Sequence, residues 1–306
     1  MNRSIVAITI SFCCFFTVAD AQDVKKLFNR GYHYLSVDTD EAIRILGEVI
    51  DLDSTYAEAY YFRGIANYKL EKYYSSLSDF DKAIQFDPAL DLVNVYRGFI
   101  YRKLQEVDSA LFYFNKYIES NPQDTSAYDF VLRGKLNYEA GELDAAIEDF
   151  QRALDMEPIK ESYHYYKYVA YFDNKQFSKA INQIDQAIEL NPNFYGYYYF
   201  KGNAYYQLEE YQKAVSEYSI ALELDIHNAD LYYHRGLAEH ALENIPEAIR
   251  DYDTAIAYNP RDGTYFFQRG YAKLANGDKL GACDDWYVAG SLGYYADFEK
   301  IKEVCE

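Results

Sequence analysis

Residues 195–228 read YGYYYFKGNAYYQLEEYQKAVSEYSIALELDIHN. In each half of this stretch, three core candidates are spaced by four and three residues. They are Tyr198, Gly202 and Tyr205, then Ala214, Tyr218 and Ala221. Because such spacing places side chains on one face of an α-helix, the stretch predicts two helices that face each other. The small residues let the two backbones approach, and the aromatic rings fill the remaining gaps.

The same pattern recurs along the chain with a period near 34 residues. Glycine marks it at Gly31, Gly64, Gly98, Gly134, Gly202, Gly236 and Gly270, and proline at Pro88, Pro122, Pro158, Pro192 and Pro260. With glycine as position 8, the repeats begin at residues 24, 57, 91, 127, 161, 195, 229 and 263, and Thr125 and Ser126 form an insertion. A fixed period of this length is typical of proteins built from stacked structural repeats.

The recurring unit resembles the tetratricopeptide repeat (TPR), in which aromatic, Gly, Ala, aromatic, Ala and Pro residues occupy set places. The resemblance implies an all-α fold, a right-handed TPR superhelix (α-solenoid) of about eight helix-turn-helix repeats. Residues 22–306 would form this single solenoid domain, since one helix pair cannot bury both of its faces and neighbouring units must stack. Residues 294–306 (YYADFEKIKEVCE) carry apolar residues at helical spacing and predict a C-terminal capping helix.

The N-terminus has the features of a secretory signal. Arg3 precedes an apolar run over residues 5–18, and residues 19–21 (ADA) fit a small-x-small cleavage site. The run is shorter than the roughly 20 residues of a membrane span, and no other stretch approaches that length. The sequence therefore predicts a signal peptide over residues 1–21 and a mature chain with no membrane span. That chain would be periplasmic or associated with the cell envelope, with secretion as the alternative.

The charge of the chain limits the class of its partner. There are 49 acidic and 30 basic residues, so the formal net charge is −19. Such a balance argues against nucleic acid as a partner, because phosphates attract clusters of Lys and Arg. It would suit a cationic partner, but a solvated acidic surface is the better default explanation.

Position 7 of every repeat is basic, and these residues form the cation row. Its members are Arg30, Arg63, Arg97, Arg133, Lys167, Lys201, Arg235 and Arg269. Position 23, on the second helix, is acidic in five repeats, at Asp79, Asp149, Glu217, Asp251 and Asp285. We predict ion pairs between the two helices rather than a basic surface for an anionic ligand. Arg97 and Lys167 face Tyr113 and Gln183 instead, and are expected to be the freest members.

Positions 5 and 12 are among those that line the concave groove where TPR proteins bind ligands, and here they are largely aromatic. These candidate binding residues form the aromatic row: Tyr61, Tyr68, Tyr138, Tyr165, Phe172, Tyr199, Tyr206, Tyr233 and Phe267. Exposed tyrosine offers a large contact area and a polar tip, as recognition surfaces do. The row therefore predicts a protein or extended peptide as partner. Packing of neighbouring first helices against each other is the alternative use of these rings.

Two other functions remain open at this point. A glycan-binding protein of the cell envelope would stack sugars on the same rings, although the only tryptophan, Trp286, occupies a core position. A structural assembly subunit is the other alternative. No pattern of catalytic residues, cofactor-binding loop or metal-ligating motif is present, so the sequence predicts neither an enzyme nor a bound cofactor or metal.

The last two cysteines of the chain, Cys283 and Cys305, are the ones that would remain after removal of the signal peptide. Cys283 occupies position 21, which faces the following helix, and that helix carries Cys305. The run ACDDWYVAGSLG followed by a helix ending in Cys resembles the closing segment of TPR proteins from Bacteroidota-type bacteria. This resemblance and the even cysteine count predict a disulfide that holds the cap, with two buried thiols as the alternative.

Overall fold

The computed structural model describes residues 18–296 and 298–306, and the side chains of residues 21–296 and 301–306. Most of the predicted signal peptide therefore lies outside the described residues, and its export function stays a prediction. The described chain is helical without strands. Its helices are α1 (Val18–Tyr34), α2 (Thr39–Leu52), α3 (Ala57–Lys69), α4 (Tyr73–Phe86), α5 (Leu92–Lys103), α6 (Val107–Ser120), α7 (Ala127–Glu139), α8 (Leu143–Met156), α9 (Glu161–Asp173), α10 (Phe177–Leu190), α11 (Tyr195–Gln207), α12 (Tyr211–Leu224), α13 (Ala229–Ala241), α14 (Ile245–Tyr258), α15 (Gly263–Ala275), α16 (Lys279–Ser291) and α17 (Phe298–Cys305).

Internal contacts divide the chain into two units, Met1–Asp124 and Thr125–Glu306. The first unit contains α1 to α6, and the second contains α7 to α17. Within each unit, the two helices of a repeat pack on each other, and the second helix packs on the first helix of the next repeat. The predicted all-α fold of stacked helix pairs is confirmed.

The turn inside each repeat depends on one residue with a left-handed backbone. In the sixth repeat this residue is Glu209, with φ of 60°, and its N–H bonds to the carbonyl of Tyr206 at 3.0 Å. The next N–H, of Glu210, bonds to the carbonyl of Tyr205 at 2.9 Å, which completes a Schellman motif. The equivalent residue has positive φ in every repeat from the second onward, at Glu71, Gln105, Gly141, Lys175, Glu209, Glu243 and Gly277. This common turn gives the two helices of each of these repeats the same connection.

The core of each repeat forms where the two helices approach most closely. Positions 20, 24 and 27 are buried in all eight repeats, as the helical spacing predicts. Gly64, at position 8, faces the ring of Phe80, at position 24, and a Cβ atom built on Gly64 would lie 2.6 Å from that ring. The glycine therefore makes room for the large residue across the helix pair.

We expect Gly64→Ala to destabilise the first unit by about 1–3 kcal/mol, because the buried ring of Phe80 cannot withdraw from the added methyl group. Gly47→Ala, on α2 of the same unit, is the matched control. Its added Cβ would lie 3.7 Å from the nearest atom, so the higher helix propensity of alanine should stabilise the unit by up to about 1 kcal/mol. Urea unfolding followed by circular dichroism measures both changes. Equal effects of the two substitutions would contradict the close approach.

The chain ends in a short helix that is joined to the last repeat. Cys283 on α16 and Cys305 on α17 form a disulfide, with their Cα atoms 5.8 Å apart. The helix begins at Phe298, four residues later than the sequence predicts, and Tyr294 precedes it. Ile301 and Val304 of α17 pack against the cluster that contains Trp286. The predicted cap thus covers apolar side chains of the last repeat.

Candidate partner-binding site

The cation row is paired within the chain. All five acidic residues at position 23 accept from the basic residue 16 positions earlier, as the sequence predicts. The pairs are Arg63–Asp79, Arg133–Asp149, Lys201–Glu217, Arg235–Asp251 and Arg269–Asp285. In one of them, Nε and Nη2 of Arg235 donate to the two carboxylate oxygens of Asp251 at 2.8 and 2.7 Å. These hydrogen bonds raise the pKa of the Arg235 guanidinium.

Several members of the row also contact the preceding repeat. Arg269 donates from Nη1 to Asp253 at 2.6 Å, and Lys201 pairs with Asp185 at 3.0 Å. Arg235 donates to Oγ of Ser219 at 3.1 Å. In each case the second partner lies 16 residues before the basic residue. Each of these basic residues, which lie on first helices, therefore contacts the second helix of its own repeat and the second helix of the preceding repeat.

The prediction that Arg97 and Lys167 are the freest members is wrong. They are 7% and 6% exposed, and lie among the few buried basic residues of the described chain. Arg97 donates to Asp81 and stacks on the ring of Tyr113, with its Cζ atom 5.2 Å from the ring centre. Lys167 donates to Gln151, and its burial lowers the pKa of its amine. The hydrogen bonds to Asp81 and Gln151 both reach the preceding repeat. A comparison of positions within one repeat of the sequence therefore could not predict them.

The aromatic row is more enclosed than an open groove would require. Tyr61 and Phe267 are buried, and the other seven rings are half-buried. Position-5 rings pack against the next repeat, with ring centres 5.0 Å apart for Tyr165 and Phe200, and 5.1 Å for Tyr199 and His234. The structure thus uses these rings in packing between repeats. Binding of a partner to their exposed edges stays a prediction.

The rings at position 12 lie near the turn that connects the two helices of a repeat. Phe172 packs on Phe177, and Tyr206 packs on Tyr211, each with ring centres 5.2 Å apart. The hydroxyl of Tyr138 donates to Asp173 of the next repeat, and this bond raises the pKa of Tyr138 to about 12. Burial raises the pKa of the Tyr206 hydroxyl as well. The hydroxyls of Tyr138 and Tyr206 are therefore protonated and uncharged at neutral pH.

A small cavity adjoins the aromatic row in the second unit. Its volume is about 210 Å³, and Tyr199 is the member of the aromatic row that lines it. Phe194 and Asp230 also line it, and neither is among the residues that the sequence singles out. Phe194 is the last residue of the fifth repeat, and Asp230 is at position 2 of the seventh. Only the approach of neighbouring first helices brings them together.

Two features were not found in the described part of the chain. None of the described helices combines the length and apolar character needed to cross a membrane. Within the same residues, no group of three or more His, Cys, Asp or Glu side chains is arranged to hold a metal ion.

Three models of the repeat family match the sequence. A model described as TPR repeat matches residues 202–243, and one described as Tetratricopeptide repeat matches residues 233–290. A second Tetratricopeptide repeat model matches residues 57–90, 97–124, 130–160 and 169–194. The chain belongs to the tetratricopeptide repeat family.

Solved structures with the same fold include two proteins from Bacteroidota. The C-terminal part of a TPR repeat-containing protein from Cytophaga hutchinsonii is 21% identical, with a TM-score of 0.67, and the match covers 79% of this chain and 98% of that one. A tetratricopeptide repeat protein from Parabacteroides merdae is 19% identical, with a TM-score of 0.57 and coverage of 81% and 97%. YrrB, described as a TPR protein with an unusual peptide-binding site, is 17% identical, with a TM-score of 0.54 and coverage of 65% and 97%. Identities this low show a shared fold alone, and no curated protein is significantly similar to the chain.

Proposed function

We propose that this protein is an exported, non-catalytic scaffold that binds a protein or an extended peptide along the aromatic row of its second unit. The observation that carries the proposal is the run of half-buried rings from Tyr138 to Tyr233, which keep an exposed edge after packing between repeats. A surface of this composition offers contact area at low conformational cost. TPR proteins bind proteins or peptides, and YrrB, with its unusual peptide-binding site, is one example.

Export rests on the predicted signal peptide and gains support from the disulfide. Bonds of the kind formed by Cys283 and Cys305 persist in oxidising compartments and are rare in the bacterial cytosol. The glycan alternative is weakened, because Trp286 is buried in the core and its indole N–H donates to the carbonyl of Phe267. A buried indole has no face free for a sugar.

Affinity capture from the exported fraction of the source cell tests the proposal, with the full chain as bait. Replacing Tyr165, Tyr199 and Tyr233 together by leucine removes the polar tips and flat faces but keeps apolar side chains in the packing positions. We expect this variant to capture at least about tenfold less of the partner protein, since buried aromatic residues carry much of the binding energy of an interface.

A second triple variant is the matched control. Tyr128, Tyr258 and Tyr287 of the same unit are exposed and lie outside the aromatic row, so their replacement by leucine should leave capture unchanged. Circular dichroism establishes that both variants are folded. Equal capture by all three baits, or equal loss in both variants, would contradict binding at the aromatic row.

A further inference from the structure

The cavity beside Tyr199 combines aromatic walls with a single carboxylate. It lies in the second unit, against the first helices of the sixth and seventh repeats. Its walls include four aromatic residues and two polar ones: Phe194, Tyr195, Tyr199, Phe200, Asn228 and Asp230. Phe194 is 43% exposed, so the part of the wall that it forms is accessible to solvent. A volume of about 210 Å³ holds one long side chain and little more.

Asp230 supplies negative charge to this cavity without a basic partner. The hydroxyl of Tyr265 donates to its carboxylate, and no Lys or Arg side chain of the described chain forms an ion pair with it. Asp230 lies in the first turn of α13, where a negative side chain interacts favourably with the helix dipole.

The imidazole of His234, one turn further along α13, does not neutralise that charge. His234 is hydrogen-bonded to the Tyr199 hydroxyl at 3.0 Å. Burial lowers the pKa of His234, so its ring is neutral at pH 7. Burial also raises the pKa of Tyr199, which keeps that hydroxyl protonated. The carboxylate of Asp230 is therefore the charge that a ligand in the cavity meets.

We propose that this cavity binds a cationic side chain, arginine or lysine, of the protein partner. Aromatic faces attract cations that lie within about 6 Å of the ring centre, and a carboxylate adds a charge-assisted hydrogen bond. The net charge of −19 would draw a basic partner toward the surface. The inference rests on the proposed function, because it names the chemistry that one part of the same surface recognises.

The test uses small probes and does not require the partner. Nα-acetyl-arginine amide and Nα-acetyl-lysine amide are titrated into the isotopically labelled full chain, and the amide resonances of Gly196 and Asp230 are followed by NMR. Nα-acetyl-citrulline amide is the uncharged probe of nearly the same shape as arginine. We expect saturable shifts at both amides with at least one cationic probe and none with citrulline.

Two variants separate the carboxylate from the aromatic wall. Asp230→Asn keeps an acceptor for Tyr265 and should weaken binding of the cationic probe roughly fivefold. Phe194→Leu keeps apolar volume without the ring and should weaken it roughly threefold. Glu223→Gln is the matched control: it removes an exposed carboxylate outside the cavity and should leave the affinity unchanged.

Four results would overturn the proposal: no shift at the cavity, equal binding of citrulline, equal weakening by Glu223→Gln, or wild-type affinity in Asp230→Asn. None of these results bears on capture of a partner by the aromatic row. Failure of this inference is therefore distinguishable from failure of the proposed function.

Discussion

Replacing Arg235 with leucine is expected to lower the free energy of unfolding by about 3 kcal/mol. The carboxylate of Asp251 is buried and accepts two hydrogen bonds from the guanidinium of Arg235. Leucine keeps part of the apolar stem but leaves this carboxylate without its cation. An uncompensated buried charge is among the largest single-residue penalties in a folded protein.

Arg250 offers a control on the same helix as Asp251. It pairs with Glu247 at 2.8 Å, but its side chain is 72% exposed, so Arg250→Leu should change stability by no more than about 0.5 kcal/mol. The double variant Arg235→Leu with Asp251→Leu should regain much of the lost stability, because an apolar pair can replace a buried ion pair. Urea unfolding followed by circular dichroism provides the measurement. Unchanged stability of Arg235→Leu together with lost partner binding would instead favour a basic surface for an anionic ligand.

Replacing both Cys283 and Cys305 with serine is expected to release α17 from the last repeat. The disulfide joins two cysteines that are 22 residues apart in sequence. By restricting the unfolded chain, a loop of this length contributes about 3 kcal/mol to stability. The helix has only 8 residues, too few to be stable on its own. Because repeats contact only their neighbours, the loss should remain near the C-terminal end.

Hydrogen exchange measures this release directly. Amides of α17 should exchange roughly a hundredfold faster in the double variant, in line with a loss of about 3 kcal/mol. The fluorescence of the only tryptophan, Trp286, should shift as its neighbours Ile301 and Val304 withdraw. Exchange from α11, in the same unit, provides the internal control and should not change. Equal protection of α17 with and without the disulfide would contradict a stapling role.

Contacts within one repeat could be predicted from the sequence because they depend on spacing along a helix. Gly64 is at position 8, where the small residue predicts close approach to the second helix, and the structure places Phe80 of that helix against it. The pair formed by Arg235 and Asp251 follows from the same logic. Helical periodicity determines which side chains face each other when two helices are joined by a short turn of constant form.

Contacts between repeats could not be predicted in this way. Arg97 binds Asp81, and Lys167 binds Gln151, although pairing within each repeat gave neither residue an acidic partner. The sequence left open whether the rings of Tyr165 and Tyr199 form a recognition surface or pack between repeats. The structure packs them against the following repeat, and recognition by their exposed edges stays a prediction. These outcomes depend on the angle and distance at which one helix pair stacks on the next, which the residue pattern does not encode.

The sequence by itself determined the helix pairs, their register and the class of protein, because one face of each helix is specified by residue types at fixed intervals. The start of the cap at Phe298 and the cavity between Phe194 and Asp230 were decided by tertiary structure. The residues of that cavity lie in different repeats and share no periodic signal. Their proximity follows from the packing of neighbouring first helices, and this packing leaves the carboxylate of Asp230 beside aromatic rings.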